Sequence, residues 1–261
     1  MRLNKNKTGI ELRRARPLAA VIRLRSFFIL FILLSLLVHC SDEDPINTDI
    51  GLDFFPLHTG NSWVYSVEET TITQSVTEVN NYELRVTFID SVKNINGGYT
   101  FTLQREKRML ATDAWESFET WTATVQNNKV IQNESNILFV KLVFPLHQAA
   151  KWNGNEFNNL PDNGNLFNDK DSELYRISEF DKSINLTTGL EYSKSLTINH
   201  NSFTDPIVGK DERKEIYARD VGLVYKEITQ LEYCSTPNCL GQQKVDKGVI
   251  LIQTLKSYAS Q

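Results

Sequence analysis

Histidine, cysteine and methionine are scarce in this chain of 261 residues, which holds four, three and two of them. No Gly-x-Ser-x-Gly elbow, His-Glu-x-x-His pair or glycine-rich phosphate loop occurs. That removes the signatures of an α/β-hydrolase, a zinc protease and a nucleotide site. After residue 40 no segment sustains a helical period over three turns, which excludes helical bundles and βαβ folds. A membrane-spanning run is missing too. The longest apolar stretch, residues 26–38, would span about 20 Å as a helix, short of the ~30 Å hydrocarbon core. Basic residues are sparse once the first 39 positions are set aside: these hold eight of the 28 Lys and Arg and one of the 32 acids. The remaining 20 bases and 31 acids give about −11, which argues against binding a phosphate backbone, so nucleic acid is not an expected partner.

What is present begins with Arg23 and Arg25, then the short apolar run, then polar residues. A basic start, a short apolar centre and a polar sequel predict a signal peptide over residues 1–39. About 20 residues precede Arg23, so a translation start further downstream is expected. The run ends Leu36-Leu37-Val38-His39-Cys40, which resembles the lipobox of bacterial lipoproteins, with His39 in place of the usual small residue. The resemblance implies cleavage before Cys40 and acylation of that cysteine with palmitate-like chains. Two or three chains suffice for stable anchoring where one does not. Residues 40–51 then read as a flexible acidic tether. Within it, Ser41, Asp42, Glu43 and Asp44 directly after the cysteine resemble the Bacteroidota signal that sends lipoproteins to the outer leaflet of the outer membrane. This implies a lipid-anchored, cell-surface location.

From about residue 52 to 261 the chain reads as a single β domain. Apolar and β-branched residues alternate with polar ones in short bursts: 63–67, 82–88, 99–103, 115–125, 137–143, 174–177, 190–198, 223–231 and 249–255. The breaks are turn chemistry, as at Asn96-Gly97-Gly98, Asn127-Asn128-Lys129 and Pro161-Asp162-Asn163-Gly164. Ten to twelve strands at this spacing predict an all-β fold. The expected form is a large antiparallel sheet curled into a barrel or half-barrel, with a two-sheet sandwich as the alternative.

One pattern occurs twice. Phe55-Pro56-Leu57-His58 precedes Trp63, and Phe144-Pro145-Leu146-His147 precedes Trp152, each time with four residues between histidine and tryptophan. A proline-fixed extended lead-in that delivers a tryptophan to the start of a strand, with Phe and Leu as plugs, accounts for both copies. Two related halves are therefore expected. His58 and His147 have no carboxylate or histidine at a ligand spacing, so no metal is assigned to them.

The first copy, Phe54-Phe55-Pro56-Leu57-His58-Thr59-Gly60-Asn61-Ser62-Trp63-Val64-Tyr65, resembles the opening segment of many uncharacterised Bacteroidota lipoproteins. Val221-Gly222-Leu223-Val224-Tyr225-Lys226-Glu227 resembles their late strand, and Leu255-Lys256-Ser257-Tyr258 their last one. That resemblance carries no activity and no catalytic residues.

Cys234 and Cys239 are the two cysteines besides Cys40, and in an oxidising compartment they predict a disulfide across a hairpin loop. The stretch 162–171 is rich in oxygen ligands but fails the EF-hand template, so calcium is the lesser reading there. Asp90-Ser91-Val92 matches a short O-glycosylation motif. With no motif for catalysis and no cofactor implied, the expectation is a non-catalytic binding or accessory lipoprotein for a small apolar or glycan ligand. A structural subunit with a protein partner is the second expectation, and an envelope hydrolase with paired carboxylates the third.

Overall fold

The computed structural model describes residues 49–95, 97–158 and 174–261. The expected signal peptide, Cys40, the acidic motif at 41–44 and the oxygen-rich stretch 162–171 lie outside the described residues.

Twelve strands form one sheet: β1 (Ser62–Thr73), β2 (Val76–Lys93), β3 (Tyr99–Arg108), β4 (Glu116–Gln126), β5 (Lys129–Glu134), β6 (Ile137–Val143), β7 (Lys151–Asn153), β8 (Leu174–Asn185), β9 (Glu191–Asp205), β10 (Gly209–Ala218), β11 (Gly222–Tyr233) and β12 (Val245–Ala259). Strands consecutive in sequence pair antiparallel everywhere except between β6 and β7, and β1 also pairs with β12 along its whole length. The order is therefore an up-and-down meander whose free edges are β6 and β7. Those edges come together. Val140 N–H donates to the Gly154 carbonyl at 2.9 Å, and the Trp152 and Asn158 side chains donate to the Val140 and Leu138 carbonyls. The sheet is thus a nearly closed barrel, and the sandwich alternative is not adopted. The one helical piece among the described residues is a 3₁₀ turn at Leu52–Phe54.

Local chemistry explains the hairpins. Gln74-Ser75, Asn127-Asn128 and Ser135-Asn136 each supply two consecutive positive-φ residues, the geometry of a two-residue turn that matches strand twist. The Asn pair was legible as a turn. Gln74-Ser75 was not, because neither residue type advertises a left-handed backbone.

The two copies of the repeated pattern lead into β1 and β7, the first strands of two successive six-strand runs. Both lead-ins lie at the same end of the barrel, called here the lower end, where odd-numbered strands begin. There the Leu146 N–H donates to the Ile50 carbonyl, and Leu146 packs directly over Gly51. Gly51 has φ +86 and no room for a side chain against Leu146, so glycine is required there. Arg219 fixes the segment further through Asp49 and Asp53, at 2.7 and 2.6 Å, with its guanidinium over the Phe54 ring. Trp63 stacks on Tyr258, meets Phe88 edge-on and donates its Nε1–H to the Val221 carbonyl at 2.6 Å. Trp152 donates to Val140 across the seam. Each tryptophan thus buries its ring while satisfying its single donor.

Candidate functional site

Side chains that point inward alternate along each strand, and in the lower part of the barrel they are apolar. Leu84, Leu103, Leu142, Leu196, Ile198 and Leu255 are almost wholly buried there. One or two positions further up, the interior changes character. Arg105 on β3, Gln132 and Glu134 on β5, Lys141 on β6, His200 on β9, Glu215 on β10 and Lys226 on β11 form a charged belt across the barrel.

Glu215 is its centre. One oxygen accepts from Lys141 Nζ at 2.6 Å, and Lys226 Nζ lies 3.5 Å away. The other accepts from the Tyr217 hydroxyl at 2.6 Å, and His200 Nε2 lies 3.3 Å away without the alignment of a hydrogen bond. Lys141 reaches Glu134 as well, at 3.3 Å, and Glu134 accepts from Gln132. Arg105 pairs with Glu119 and lies over the Trp121 ring at 3.7 Å. The His200 ring stacks flat on Tyr175, with centroids 4.0 Å apart.

Two of these residues owe their position to strand irregularities. In the β5–β6 ladder Val130 pairs with Leu142 and Ile131 with Val140, which leaves Lys141 as the extra residue of a bulge. In β9–β10 Arg213 pairs with Asn201 and Lys214 with Asn199, which leaves His200 likewise. A bulge re-aims the extra side chain, here toward the interior.

Burial penalises every charge in the belt, so each survives only through its neighbours. For Glu215, burial raises the carboxyl, but Lys141, His200 and Lys226 outweigh it and hold it well below the usual range. Glu134 is likewise lowered, Lys141 and Lys226 overcoming burial. Burial lowers Lys141, but Glu134 and Glu215 outweigh it and raise it above its ordinary value. His200 is lowered: burial, joined by Lys141 and Lys226, outweighs Glu215, which raises it. Tyr175 is pushed up to about 12, chiefly by burial.

Between the apolar layer and the belt lies a cavity of ≈ 80 Å³, partly open to solvent. Trp63, Leu84, Phe88 and Leu103 line one wall, and Arg105, Glu134, Lys141, Glu215, Lys226 and Gln253 line another. The volume holds several waters or a small organic group.

Of the residues singled out from sequence, Trp63, Phe55 and Pro56 line this cavity, whereas Phe144, Leu146 and Trp152 pack in the core beside the seam. Leu57 is half-buried against the core cluster around Trp63, and Pro145 is exposed. His58 and His147 are both exposed, and His147 faces the Gln148 carbonyl. Cys234 and Cys239 lie at disulfide distance in the loop between β11 and β12, with Cα atoms 5.8 Å apart. Among the described residues no group of three His, Cys, Asp or Glu could hold a metal ion. The belt itself escaped the sequence reading. The one available signal was Lys141, a lone charge inside the apolar run Ile137-Leu138-Phe139-Val140-Lys141-Leu142-Val143.

No protein-family model matches the chain, and no curated protein does. Two solved structures are similar to it. One is a Bacteroides fragilis protein described as exported and YmcC-like in fold, 11% identical, covering 79% of this chain and 99% of its own, with a TM-score of 0.40. The other is a Parabacteroides distasonis protein described as a lipoprotein, 14% identical, covering 79% of this chain and 98% of its own, with a TM-score of 0.37. Likeness at this distance carries neither ligand nor activity across to this chain.

Proposed function

We propose that this chain is a lipid-anchored protein of the bacterial outer membrane, displayed at the cell surface, whose barrel interior binds a small amphipathic molecule without transforming it. The observation that carries the binding reading is the cavity, with an aromatic and aliphatic wall facing a set of buried, fixed charges. The location rests on Cys40 and the Ser41-Asp42-Glu43-Asp44 sequel.

Glu134 and Glu215 are the close carboxylate pair that a glycosidase would need, since both contact one ammonium, that of Lys141. Hydrolysis requires one of the two to be protonated at working pH. Here both are held below the usual range, so neither is poised as an acid. This favours binding over catalysis.

Native mass spectrometry of the protein extracted from its own membrane tests the reading. A defined small molecule retained by the folded chain is expected, and its mass gives the ligand class. A chain that flies empty overturns it. For the location, protease added to intact cells should cut the protein, and Cys40→Ala should release it from the membrane fraction.

A second reading is a subunit of a surface complex. It is favoured by Met109, Leu110, Ile207 and Leu240, exposed apolar residues on loops at the upper end of the barrel. Co-purification of another polypeptide with the empty chain would bring it forward.

A further inference from the structure

We infer that the cavity takes a small organic carboxylate with an apolar body, its anionic end received by Lys226 and Gln253. This rests on the binding reading above and names the chemistry of its ligand.

Most polar groups of the belt are spent on one another: Lys141 on Glu215 and Glu134, Tyr217 on Glu215, Gln132 on Glu134 and Arg105 on Glu119. Three that line or border the cavity are not. Gln253 is 7% exposed, and its carboxamide has no hydrogen bond among the described residues. Trp121 Nε1 is buried and has no partner either. Among the described residues Lys226 has one ion pair, with Glu215 at 3.5 Å, and that group already accepts from Lys141 and Tyr217. Lys226 and Gln253 are register partners on β11 and β12, so their side chains reach the cavity from adjoining positions.

The unspent capacity is mainly that of donors: an ammonium, an indole N–H and a carboxamide NH₂. Buried polar groups in folded proteins are almost always satisfied, so the buried Trp121 Nε1–H calls for an acceptor, and Lys226, 19% exposed, and Gln253 are donors free to turn to the same one. Charge narrows it. Arg105, Lys141 and Lys226 line the cavity against Glu134 and Glu215, while Glu119 neutralises Arg105 from outside the lining. With Arg105 so neutralised, Lys141 and Lys226 balance Glu134 and Glu215 in number, but Lys141 engages both carboxylates at closer range, which leaves Lys226 as the less occupied cation: an anionic end is drawn to it and an ammonium repelled. The apolar wall of Trp63, Leu84, Phe88 and Leu103 receives the body, and ≈ 80 Å³ suits one ring or a short chain rather than a long acyl tail.

Phenylacetate and its neutral counterpart phenylacetamide serve as probes. Saturation-transfer NMR on the full chain, extracted in a maltoside detergent, reads their affinities. Phenylacetate should bind, with the amide about ten-fold weaker, the factor expected for one lost charge-assisted hydrogen bond. Lys226→Met should weaken phenylacetate by about the same factor and leave the amide unchanged. Gln253→Met, which alters no charge, should weaken both. Val86→Phe fills the cavity from its lining and should abolish both, with circular dichroism reporting that each variant is folded. Equal binding of the two probes, or a Lys226→Met chain that binds phenylacetate as before, overturns the inference. If Val86→Phe still abolishes binding in that case, the cavity reading stands without it. Absence of binding by either probe also overturns the inference, while the mass spectrum decides the cavity reading independently.

Discussion

Lys141 and Leu142 are sequence neighbours, equally buried, and belong to two different interiors. Leu142 sits in the apolar layer, where each side chain contributes through the area it removes from water and the contacts it makes. Lys141 sits in the belt, where no member is stable alone. Its ammonium is tolerable because Glu215 and Glu134 touch it, and their charges are tolerable because it touches them. Depth is the same in both layers. What differs is whether a residue can be removed without stranding another.

The largest expected effect follows directly. Lys141→Met keeps the volume but takes from Glu134 and Glu215 the cation that touches both, and should cost about 4 kcal/mol in urea denaturation. Leu142→Ala, one residue away, should cost about 3 kcal/mol from lost transfer energy and the cavity left behind. The sharper contrast is the double variant Lys141→Met/Glu215→Leu. It should recover most of the Lys141→Met loss, because the stranded charge at the centre goes with it. If the double is as unstable as the single, the two layers do not differ in the way described.

Acid should separate them next. Below about pH 6.5 an unfolded histidine takes a proton. Folded His200 does not, enclosed by Tyr175, Glu215, Lys141 and Lys226. The unfolded state then binds more protons, so stability falls as pH falls, by up to about 1.4 kcal/mol per pH unit, until the lowered folded pKa is reached. Glu134 and Glu215, both lowered, add a second loss as pH drops below about 4.3. In His200→Gln the first part of the decline should vanish and the second persist. Equilibrium unfolding between about pH 2.5 and 7 checks this, and a variant with the wild-type slope would remove His200 from the account. The smallest effect belongs to the apolar layer. Trp63→Phe keeps a ring but strands the Val221 carbonyl, for about 1 kcal/mol and no change in pH dependence.

The same division governs what could be read in advance. Nine strands were visible because an apolar residue recurs at every second position, and all nine exist. Three were not. β7 has only three residues, too few for any period. β5, Lys-Val-Ile-Gln-Asn-Glu, and β10, Gly-Lys-Asp-Glu-Arg-Lys-Glu-Ile-Tyr-Ala, carry polar residues on both faces, since Gln132, Glu134 and Glu215 point into the belt. Alternation fails as a signal in strands such as β5 and β10, where polar residues hold most of the inward positions at the candidate site. The repeated Phe-Pro-Leu-His pattern had the opposite fate. It was plain in the letters, and its copies head the two six-strand runs, because a Pro-fixed lead-in and a buried tryptophan are requirements of local geometry. The belt is a requirement of distant strands meeting, which no spacing in one sequence reports.

The pairing of β1 with β12 has a further consequence, for the order of folding events. The first strand finds half of its ladder in the hairpin with β2 and the other half some 190 residues later in the chain. Hairpins can form locally as the chain emerges, on the microsecond scale typical of such units. Closure of the wall must wait for the final fifteen-residue strand. Until then β1 presents an unpaired edge and the apolar layer stays open to solvent, the condition under which chains associate wrongly. A truncation at the C-terminus would therefore remove a wall of the vessel and not a tail, and the vulnerable interval in the life of this protein is the one before its last strand arrives.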